Sequence, residues 1–440
     1  MKRVLIVSPH FPPINSPDHQ RVRMSLPYYR ACGWEPIVLC VTDDQVDGVR
    51  EPELERTIPG EIKIFRAGAL PLRWLRQLGV RNIGLRCWLH FFFAGARLIR
   101  REKIDLVFFS NTQFVTFPLG RLWRAWLGTP YVFDMQDPWR TDYYERAGSR
   151  RPPGGWKYQL ARFMAWLLEG WSFHRVAAVM SVSPSYLDDL RRRYANFASV
   201  PTAVIGFGAT RNDITIARAL PSPSVRYERQ RGEIHLLYTG ASGPVMPHSL
   251  TVLFDGLRLY REKNPEGARR LRFHFFGTSY VASGQGRNSV VPVAEACGVA
   301  DQVDEIPHRL GHLECIRLQL EADILLLPGS SDLAYSPSKI YPYFLTDRPI
   351  LAVVFRGSVL ERLVQELSCA FTVATTEHGP KAEAHAALAK FFDLVLAGLP
   401  AGSLPKRDQS YFAKHFLAES LTRAQAALFD RALEHEVQSA

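Results

Sequence analysis

The sequence contains little of what builds disulfide frameworks or zinc sites. Its 440 residues include six cysteines, which are scattered without a CxxC pair, and thirteen histidines without HExxH or another ligand spacing. Scattered cysteines in apolar surroundings are typical of free buried thiols in a reducing cytosol. We therefore expect no structural zinc, no other metal and no cofactor.

Long hydrophobic runs are also missing. The apolar run within MKRVLIVSPHFPP is too short for a signal-peptide core and is followed by two prolines. No uninterrupted apolar segment approaches the roughly 18 residues that a membrane-spanning helix needs. These absences predict a cytoplasmic protein, which can still lie on the inner face of the cytoplasmic membrane.

Positive charge is in excess. The chain carries 54 Lys and Arg against 43 Asp and Glu, a net charge of +11, and 47% of its residues are hydrophobic. This hydrophobic content predicts a well-packed globular protein, and the length suits two or three domains. The basic balance indicates an anionic partner: nucleic acid, a phosphate-bearing substrate or an acidic membrane surface.

Apolar runs of strand length alternate with helical segments in two separate stretches. Residues 1–210 contain RVLIVSP, EPIVLCV, IDLVFFS, PYVFDMQD and VAAVMSVS, and residues 233–409 contain EIHLLYTG, LRFHFFGTS, ADILLLPGS, RPILAVV and AFTVATT. This alternation predicts an α/β fold of two doubly wound Rossmann-like domains facing across a cleft. Residues 211–232 are polar and predict a linker, and residues 410–440 predict one amphipathic helix. Ligands bind at the carboxyl ends of such strands, so the residues that follow the strands are the candidates.

The loop after the first strand, SPHFPPINSPDHQRVRM, contains no glycine, which excludes a dinucleotide-binding fingerprint. Ser16 can cap a helix that Pro17 opens, and such a helix start can hold an anion. His10, Asp18 and Arg21 are therefore candidates for contact with a substrate or a phosphate. The alternative is a rigid loop with solvated charges.

Two carboxylates follow the strand PYVFDMQ. Asp134 and Asp137 lie three residues apart, with Trp139 and Arg140 just beyond them. Paired carboxylates at a strand end can position a hydroxyl or act as a base, and Trp139 adds an aromatic platform. The alternative is a turn-forming Asp-Pro pair beside a helix cap.

Small residues and one cation follow the strands of the second domain. Glycine and serine loops can cradle a phosphate or a base, and SPSK can place hydroxyls, amides and a cation at a helix start. The residues concerned are Gly240, Ser242, His248, Gly277, Ser336, Ser338 and Lys339. The set around SPSK suits a diphosphate, whereas the alternative there is a well-capped helix with a solvated lysine.

A second proline complicates that helix. Pro342 follows Pro337 by only five residues in SPSKIYPYF. A proline in a helix interior costs about 3 kcal/mol, because it lacks an amide hydrogen and clashes with the carbonyl four residues earlier. We therefore expect the helix to kink near residues 338–342, or its first turn to be detached.

Three segments resemble bacterial family 4 glycosyltransferases of the polysaccharide-assembly type. VLIVSPHFPP…QRVRMSLPYYRACGWEPIVL looks like their opening, and FDMQDPW is similar to their D-x-x-D-x-W segment. ADILLLPGSSDLAYSPSKIYPYFLTDRPILAV resembles their PSK-x-x-E-Y-L-A-x-G-K-P-I-L segment. The resemblance implies the GT-B fold. Residues 1–210 would bind the sugar acceptor, residues 233–409 would bind the nucleotide-sugar donor, and the helix 410–440 would pack back on the first domain.

The resemblance also implies roles for the candidate residues. Asp137, Asp134 and His10 would act on the acceptor hydroxyl, and Asp18, Arg21, Trp139 and Arg140 would bind the acceptor. The donor would be held by Gly240, Ser242, His248, Gly277, Ser336, Ser338 and Lys339. The expected protein is a hexosyl or related transferase, retaining in stereochemistry, that uses a nucleotide-sugar and a lipid-linked or polysaccharide acceptor in cell-envelope glycan biosynthesis.

Two departures from the family pattern keep other functions open. The family carries two glutamates eight positions apart, of which the second contacts the ribose of the nucleotide; this sequence has Ala334 and Pro342 there. Their loss favours a non-catalytic nucleotide- or sugar-binding member of a polysaccharide assembly complex. A nucleotide-sugar epimerase on the same fold is a further alternative.

Two segments combine basic and aromatic residues. Residues 71–103 contain eight Arg or Lys and one acidic residue, interleaved with Trp74, Trp88 and Phe91–Phe93, and residues 156–175 are similar. Such helices can lie in a membrane interface, which predicts peripheral membrane contact. The alternative is an ordinary core face with solvated arginines. We expect no nucleic acid partner, because the basic residues lie on domain helices rather than on a groove-forming barrel.

Overall fold

The computed structural model describes residues 1–72, 81–140, 155–221, 223, 225, 227–242, 246–279, 286–335 and 337–439. The chain divides into two compact units: Met1–Phe207 with Ala418–Ala440, and Gly208–Leu417. Each unit is built on one parallel sheet with helices between its strands. This confirms the predicted α/β class with two Rossmann-like domains.

The sheet of the first unit has the strand order β3-β2-β1-β4-β5-β6-β7 within the described residues, and all of its strand pairs are parallel. The strands are β1 (Lys2–Val7), β2 (Trp34–Val41), β3 (Lys63–Ala67), β4 (Leu106–Ser110), β5 (Tyr131–Met135), β6 (Ala178–Ser181) and β7 (Thr202–Val204).

Alternate residues of β1, an interior strand of this sheet, pack in two different cores. Leu5 and Val7 pack in one core and Val4 and Ile6 in the other, and all four are buried. A strand covered on both faces needs apolar residues throughout, which explains why RVLIVSP is a continuous apolar run. The edge strands β3 and β7 are half-exposed, so they lack such a run and were not predicted.

The helices of the first unit begin with α1 (Gln20–Ser25), α2 (Ile83–Arg101), α3 (Pro118–Leu127), α4 (Trp156–Phe173) and α5 (Pro184–Arg193). The helix predicted to open at Pro17 is broken into α1 and three short 3₁₀ turns, Pro17–His19, Leu26–Tyr28 and Arg30–Cys32. The break follows α1 directly, at Pro27, because a proline supplies no amide for the helical ladder.

The sheet of the second unit has the order β10-β9-β8-β11-β12-β13 within the described residues, again with parallel pairs throughout. Its strands are β8 (Ile234–Thr239), β9 (Leu271–Phe276), β10 (Val303–Ile306), β11 (Ile324–Pro328), β12 (Ile350–Phe355) and β13 (Phe371–Thr375). The edge strand β10 reads VDEI and was not predicted, because half of its residues are acidic.

The second unit also contains nine described helices. They are α6 (Arg211–Ala219), α7 (Pro247–Lys263), α8 (Pro265–Arg269), α9 (Val291–Ala296), α10 (His312–Glu321), α11 (Ile340–Leu345), α12 (Val359–Leu367), α13 (Ala382–Leu396) and α14 (Gln409–His415).

The predicted linker over residues 211–232 needs correction. Its first part is the helix α6, which Thr210 caps by accepting a hydrogen bond from the Asn212 amide. Ile214 and Ala217 are buried where α6 packs against α10. The helix was not predicted because these residues are mostly polar, and only a narrow stripe of a short surface helix has to be apolar.

The predicted helix over residues 410–440 is two helices. The first, α14, belongs to the second unit, and α15 (Ala418–Ser439) belongs to the first. Phe429 of α15 is buried against Trp34 and Phe108, with ring centroids 5.4 and 4.9 Å away. The last helix of the chain therefore completes a core whose other members come from residues 1–207.

Candidate active site

Residues at the carboxyl edge of the first sheet form a buried polar network. Asp134, in β5, accepts hydrogen bonds from Ser110 Oγ at 2.7 Å and from Gln136 Nε2 at 3.1 Å. Gln136 Nε2 also donates to the backbone carbonyl of Asp18 at 3.1 Å. Because β1, β4 and β5 are parallel neighbours, the residues after them meet at this one edge.

Asp134 is also paired with Arg21. Arg21 Nε lies 3.0 Å from Asp134 Oδ2, and the two side chains are 4% and 0% exposed. Arg21 Nη2 donates to the Ile205 carbonyl at 2.9 Å, and its guanidinium lies 5.4 Å from the ring centroid of Phe207. Both side chains lie below the surface, where they are held by each other and by the backbone.

His10 and Asp18 form a pair above this network. His10 Nδ1 lies 2.8 Å from Asp18 Oδ2, and His10 is half-buried whereas Asp18 is buried. Burial acts to raise the pKa of Asp18, but the hydrogen bonds and charges of His10, Ser16 and His19 lower it overall. Asp18 is therefore ionised at neutral pH and accepts the Nδ1 proton of His10. Nε2, the other ring nitrogen of His10, takes no part in this contact, and a histidine whose Nδ1 is held by a carboxylate is a recurring arrangement for a general base.

Asp137 is the exposed carboxylate of the predicted pair. Partial burial of its carboxyl group and the negative charge of Asp18 raise the pKa of Asp137 above its usual range. Burial and the charge of Asp137 likewise raise the pKa of Tyr186, which places the tyrosine nearby. A carboxyl group whose pKa is raised by burial and by a second acid is a candidate for proton transfer.

Trp139 and Arg140 are half-buried and already have partners. The ring of Trp139 is stacked on Phe114 with centroids 5.6 Å apart and meets Phe117 edge-on at 5.7 Å. Arg140 Nη1 lies 4.0 Å from Oε1 of the buried Glu169, which also pairs with Arg193. These contacts hold both side chains in place next to Asp137 in the sequence.

Three of the predicted donor residues lie together at the carboxyl edge of the second sheet. Gly240 follows β8 and Gly277 follows β9, and both have positive φ, of 121° and 73°. A Cβ atom on Gly240 would lie 3.0 Å from Lys339 Nζ, and one on Gly277 would lie 3.7 Å from the Gly240 nitrogen. The absence of side chains at both positions lets a ligand approach the backbone beside the amine.

Lys339 supplies the cation of this group. Its Nζ lies 4.0 Å from the centroid of the Tyr238 ring and donates a hydrogen bond to Tyr238 Oη. Burial lowers the pKa of Lys339 to about 7. No carboxylate among the described residues forms an ion pair with Lys339, so its charge is available to an anionic ligand.

The remaining predicted donor residues lie elsewhere or point to other partners. His248 Nε2 is 3.4 Å from Thr375 Oγ1 and its ring is 5.1 Å from that of Phe355, on the β12–β13 side of the sheet. Burial lowers the pKa of His248. Ser242 is bonded through its Oγ to Ser289, and Ser338 is exposed. Ser336 lies outside the described residues.

The helix predicted from SPSK begins later than expected. Lys339 is the N-cap of α11, and the carbonyls of Pro337 and Ser338 accept the amides of Ile340 and Tyr341, the first two residues of α11, at 3.3 Å. This turn therefore runs directly into α11, and the structure shows a later helix start rather than a detached first turn. A helix of six residues adds little dipole, so Lys339 rather than the helix start is the feature that attracts an anion.

Sequence reasoning missed four residues of these two clusters. Ser110 is the last residue of β4, Gln136 follows β5, Tyr186 lies in α5, and Tyr238 lies inside β8. Ser110 and Gln136 could have been found, because each is a polar residue at the end of an apolar strand. The sequence gives no such signal for Tyr186 and Tyr238, which look like ordinary packing residues.

Comparisons with known proteins agree with this fold. Residues 19–208 match the family model of the glycosyl transferase 4-like domain. No curated protein sequence matches the chain.

Solved structures share the architecture at low identity. HepE of Anabaena, crystallised in complex with UDP-glucose, is 13% identical with a TM-score of 0.51, and the match covers 100% of both chains. An α,α-trehalose-phosphate synthase (UDP-forming) of Burkholderia xenovorans, in complex with glucose-6-phosphate, is 12% identical with a TM-score of 0.58 over 99% of this chain and 100% of the other. Similarity at this level shows the fold alone. Residues 19–208 thus match a glycosyl transferase 4-like domain, which agrees with the family 4-like resemblance, and the chain has the two Rossmann-like domains of the GT-B fold.

Proposed function

We propose that this protein transfers a sugar from a nucleotide-sugar donor to a lipid-linked or polysaccharide acceptor in cell-envelope glycan biosynthesis. The observation that carries the proposal is the His10–Asp18 pair, which lies at the carboxyl edge of the first sheet, immediately before the residues 19–208 that match a glycosyl transferase 4-like domain. The UDP-glucose bound by HepE, a protein of similar fold, supports a nucleotide-sugar as the donor.

In the proposed reaction, the first unit orients the acceptor hydroxyl. His10 Nε2 and the Asp137 carboxyl hold that hydroxyl, and the buried Arg21–Asp134 pair keeps the loops that carry them in place. As the bond from the anomeric carbon to the new oxygen forms, the hydroxyl proton passes to His10 or to the departing phosphate oxygen. We propose retention of the anomeric configuration, without a covalent intermediate on the protein.

The second unit stabilises the leaving group. When the bond between the anomeric carbon and the diphosphate breaks, negative charge grows on the diphosphate. Lys339 neutralises this charge, and the bare backbone at Gly240 and Gly277 allows the phosphates to approach its amine. The Ala334 and Pro342 positions offer no carboxylate for the ribose, so nucleotide recognition relies on other contacts.

The proposal is tested by donor binding and turnover. UDP-, GDP- and ADP-sugars are titrated by calorimetry into the wild type, Lys339→Ala and the matched control Lys390→Ala, which alters an exposed lysine of the same unit. We expect one donor to bind and to be consumed, with a loss only in Lys339→Ala. Absence of binding by every donor would refute the transferase. Binding without turnover would favour the non-catalytic alternative, and NMR of the product's anomeric proton decides between retention and inversion.

We also propose that the first unit contacts an anionic membrane surface through α4 and its neighbours. Among the described helices none is both long and apolar enough to span a bilayer. However, α4 leaves an apolar stripe exposed, spaced as one helix face: Leu160, Phe163, Met164, Leu167 and Trp171. The exposure of these side chains supports a surface role for this face of α4.

Arginines accompany this exposed stripe. Arg121 lies 4.5 Å from the ring centroid of Trp171, and Arg100 lies 4.4 Å from that of the exposed Trp126. Apolar side chains beside cations are the combination that binds the headgroup region of an acidic bilayer. This contact would bring a lipid-linked acceptor to the first unit.

Vesicle sedimentation tests the membrane contact. Phosphatidylglycerol vesicles should sediment the wild type and neutral phosphatidylcholine vesicles should not, because the arginines need anionic lipid. The double variant Phe163→Ser, Leu167→Ser should remain in the supernatant, whereas Val437→Ser, at an exposed apolar residue of α15, should behave like the wild type. Equal sedimentation of both variants would refute this surface.

A further inference from the structure

A cavity of about 490 Å³ in the second unit is lined by four arginines. They are Arg218 of α6, Arg229 before β8, Arg317 of α10 and Arg348 before β12, and Glu321 lies among them. None of these residues was a sequence candidate, since they are spread over 131 positions of the chain. We call this feature the arginine cavity.

The arginine cavity lies at the amino edge of the sheet. Glu321 lies just before β11, and Arg229 and Arg348 precede β8 and β12. Parallel strands all begin at the same edge, whereas Gly240 and Gly277 follow the strand ends at the opposite edge. A strand of five or six residues spans about 17–20 Å. The cavity is therefore a different place from the group around Lys339.

Two of the four arginines are neutralised by acids. Arg229 Nη2 lies 2.7 Å from both carboxylate oxygens of Asp323, and Arg317 Nε lies 2.9 Å from Glu321 Oε1. Neither Arg218 nor Arg348 is paired with a carboxylate in the part of the chain that the structure describes. The cavity thus carries two uncompensated positive charges.

Hydrogen bonds to backbone carbonyls hold three of the four arginines, Arg229, Arg317 and Arg348, around the cavity. Arg348 Nη2 donates to the Leu320 carbonyl, Arg317 Nη1 donates to the Arg218 carbonyl at 2.9 Å, and Arg229 Nη1 donates to the Glu321 carbonyl at 2.8 Å. These contacts tie α6 to α10 and tie the residues before β8 and β12 to the end of α10. Such fixed guanidinium groups lose little freedom when they bind an anion.

We propose that the arginine cavity binds a small ligand through a phosphate group. A guanidinium group can donate two parallel hydrogen bonds to the oxygens of a phosphate. A phosphate dianion also carries two negative charges, which match the two uncompensated positive charges of the cavity, whereas a carboxylate carries only one. The volume lies within the range of about 300–1,000 Å³ that is usual for small-molecule sites. The inference does not depend on the proposed transferase function, because the site uses other residues at the other edge of the sheet.

Calorimetric titration tests this site with defined probes: inorganic phosphate, pyrophosphate and glucose 6-phosphate, with glucuronate as the singly charged comparison. The phosphate compounds should bind at low ionic strength and weaken as salt is added. Glucuronate should bind at least about tenfold more weakly. Failure of all three phosphate probes to bind, or equal binding of glucuronate, would overturn the proposal.

Variants of the lining arginines test where the phosphate compounds bind. Arg218→Gln and Arg348→Gln should each weaken phosphate binding about 10- to 100-fold, the usual loss for a charged hydrogen bond. Arg218 is exposed and its side chain holds no other described residue, so Arg218→Gln tests the site even if Arg348→Gln unfolds. The matched control Arg362→Gln and the donor-group variant Lys339→Ala should bind like the wild type. A loss in Lys339→Ala with none in Arg218→Gln would place the anion at the other edge and refute the arginine cavity.

Discussion

The amine of Lys339 lies against the ring of Tyr238, where burial lowers its pKa from 10.5 to about 7. At neutral pH this amine is therefore divided between its charged and neutral forms. A diphosphate attracts only the charged form. Binding of a nucleotide should consequently draw a proton from the solvent.

This proton uptake is our first prediction. UDP titrated at pH 8 should give heats that differ between Tris and HEPES buffers, because the proton comes from the buffer. In Lys339→Met the difference should vanish. Between pH 7 and 10.5 the folded wild type holds fewer protons than the unfolded chain, so its stability relative to Lys339→Met should rise with pH. Buffer-independent heats in the wild type would contradict the assignment of Lys339.

The second prediction concerns Asp137, whose pKa is raised by partial burial and by the charge of Asp18. The ordinary pKa of an aspartate is 3.8, and between that pH and the raised pKa of Asp137 the folded state holds more protons than the unfolded state. The stability of the wild type therefore falls as the pH rises from 3.8 through the raised pKa. Asp137→Asn should therefore melt higher than the wild type at pH 7, lose this advantage at pH 3, and transfer sugar more slowly. Asp47→Asn, at an exposed aspartate of the same unit, is the control; equal melting of Asp137→Asn and the wild type at pH 7 would refute the raised pKa.

At the scale of elements, α11 accommodates Pro342 because the helix begins later in the sequence than predicted. Pro342 is the third residue of α11, because the helix begins at Ile340. The first residues of a helix have no intrahelical acceptor for their amides, so the missing hydrogen costs nothing there.

The third prediction follows from this position. Pro342→Ala should change the free energy of unfolding by no more than about 1 kcal/mol, and in the destabilising direction, because alanine frees the unfolded chain. A strained proline inside a helix would instead give a gain of about 3 kcal/mol on replacement. Urea unfolding measures the difference, and stabilisation of that size would show that the helix is strained.

Sequence patterns revealed the strands that read as apolar runs. The ten predicted runs all contain strands of the two sheets. Most of these strands are buried on both faces, which favours apolar residues, whereas the half-exposed edge strand β13 was found because FTVAT is rich in β-branched residues. Four elements were not predicted, because each needs only a few apolar residues: the edge strands β3, β7 and β10 and the surface helix α6. For the candidate site, proximity to strand ends singled out Lys339, Gly240 and His10 but did not predict how far each is buried. It also did not distinguish the buried Asp134 from the exposed Asp137.

The whole molecule consists of two units that each have their own apolar cores. Phe429 of α15 is buried in a core of the first unit. In the second unit, Phe412 of α14 is buried and stacked on Phe344 with centroids 4.1 Å apart. These two phenylalanines, only 17 residues apart, therefore belong to different cores.

The fourth prediction uses them as a matched pair. Phe429→Ala and Phe412→Ala should each cost about 3–5 kcal/mol, the usual loss for a buried phenylalanine. Scanning calorimetry should show the first variant lowering the transition of the first unit and the second variant lowering that of the other unit. Equal shifts of a single transition in both variants would contradict separate cores.

The position of α15 has a consequence for synthesis of the protein on the ribosome. The first unit lacks this helix until the roughly 210 residues of the second unit have been translated, which takes about 10–40 s at the usual rate of 5–20 residues per second. During that interval the surfaces of Trp34 and Phe108 that α15 later covers remain open to water and to other nascent chains. Chaperones that protect unfinished polypeptides should accordingly bind the first unit, and release it once α15 has been synthesised.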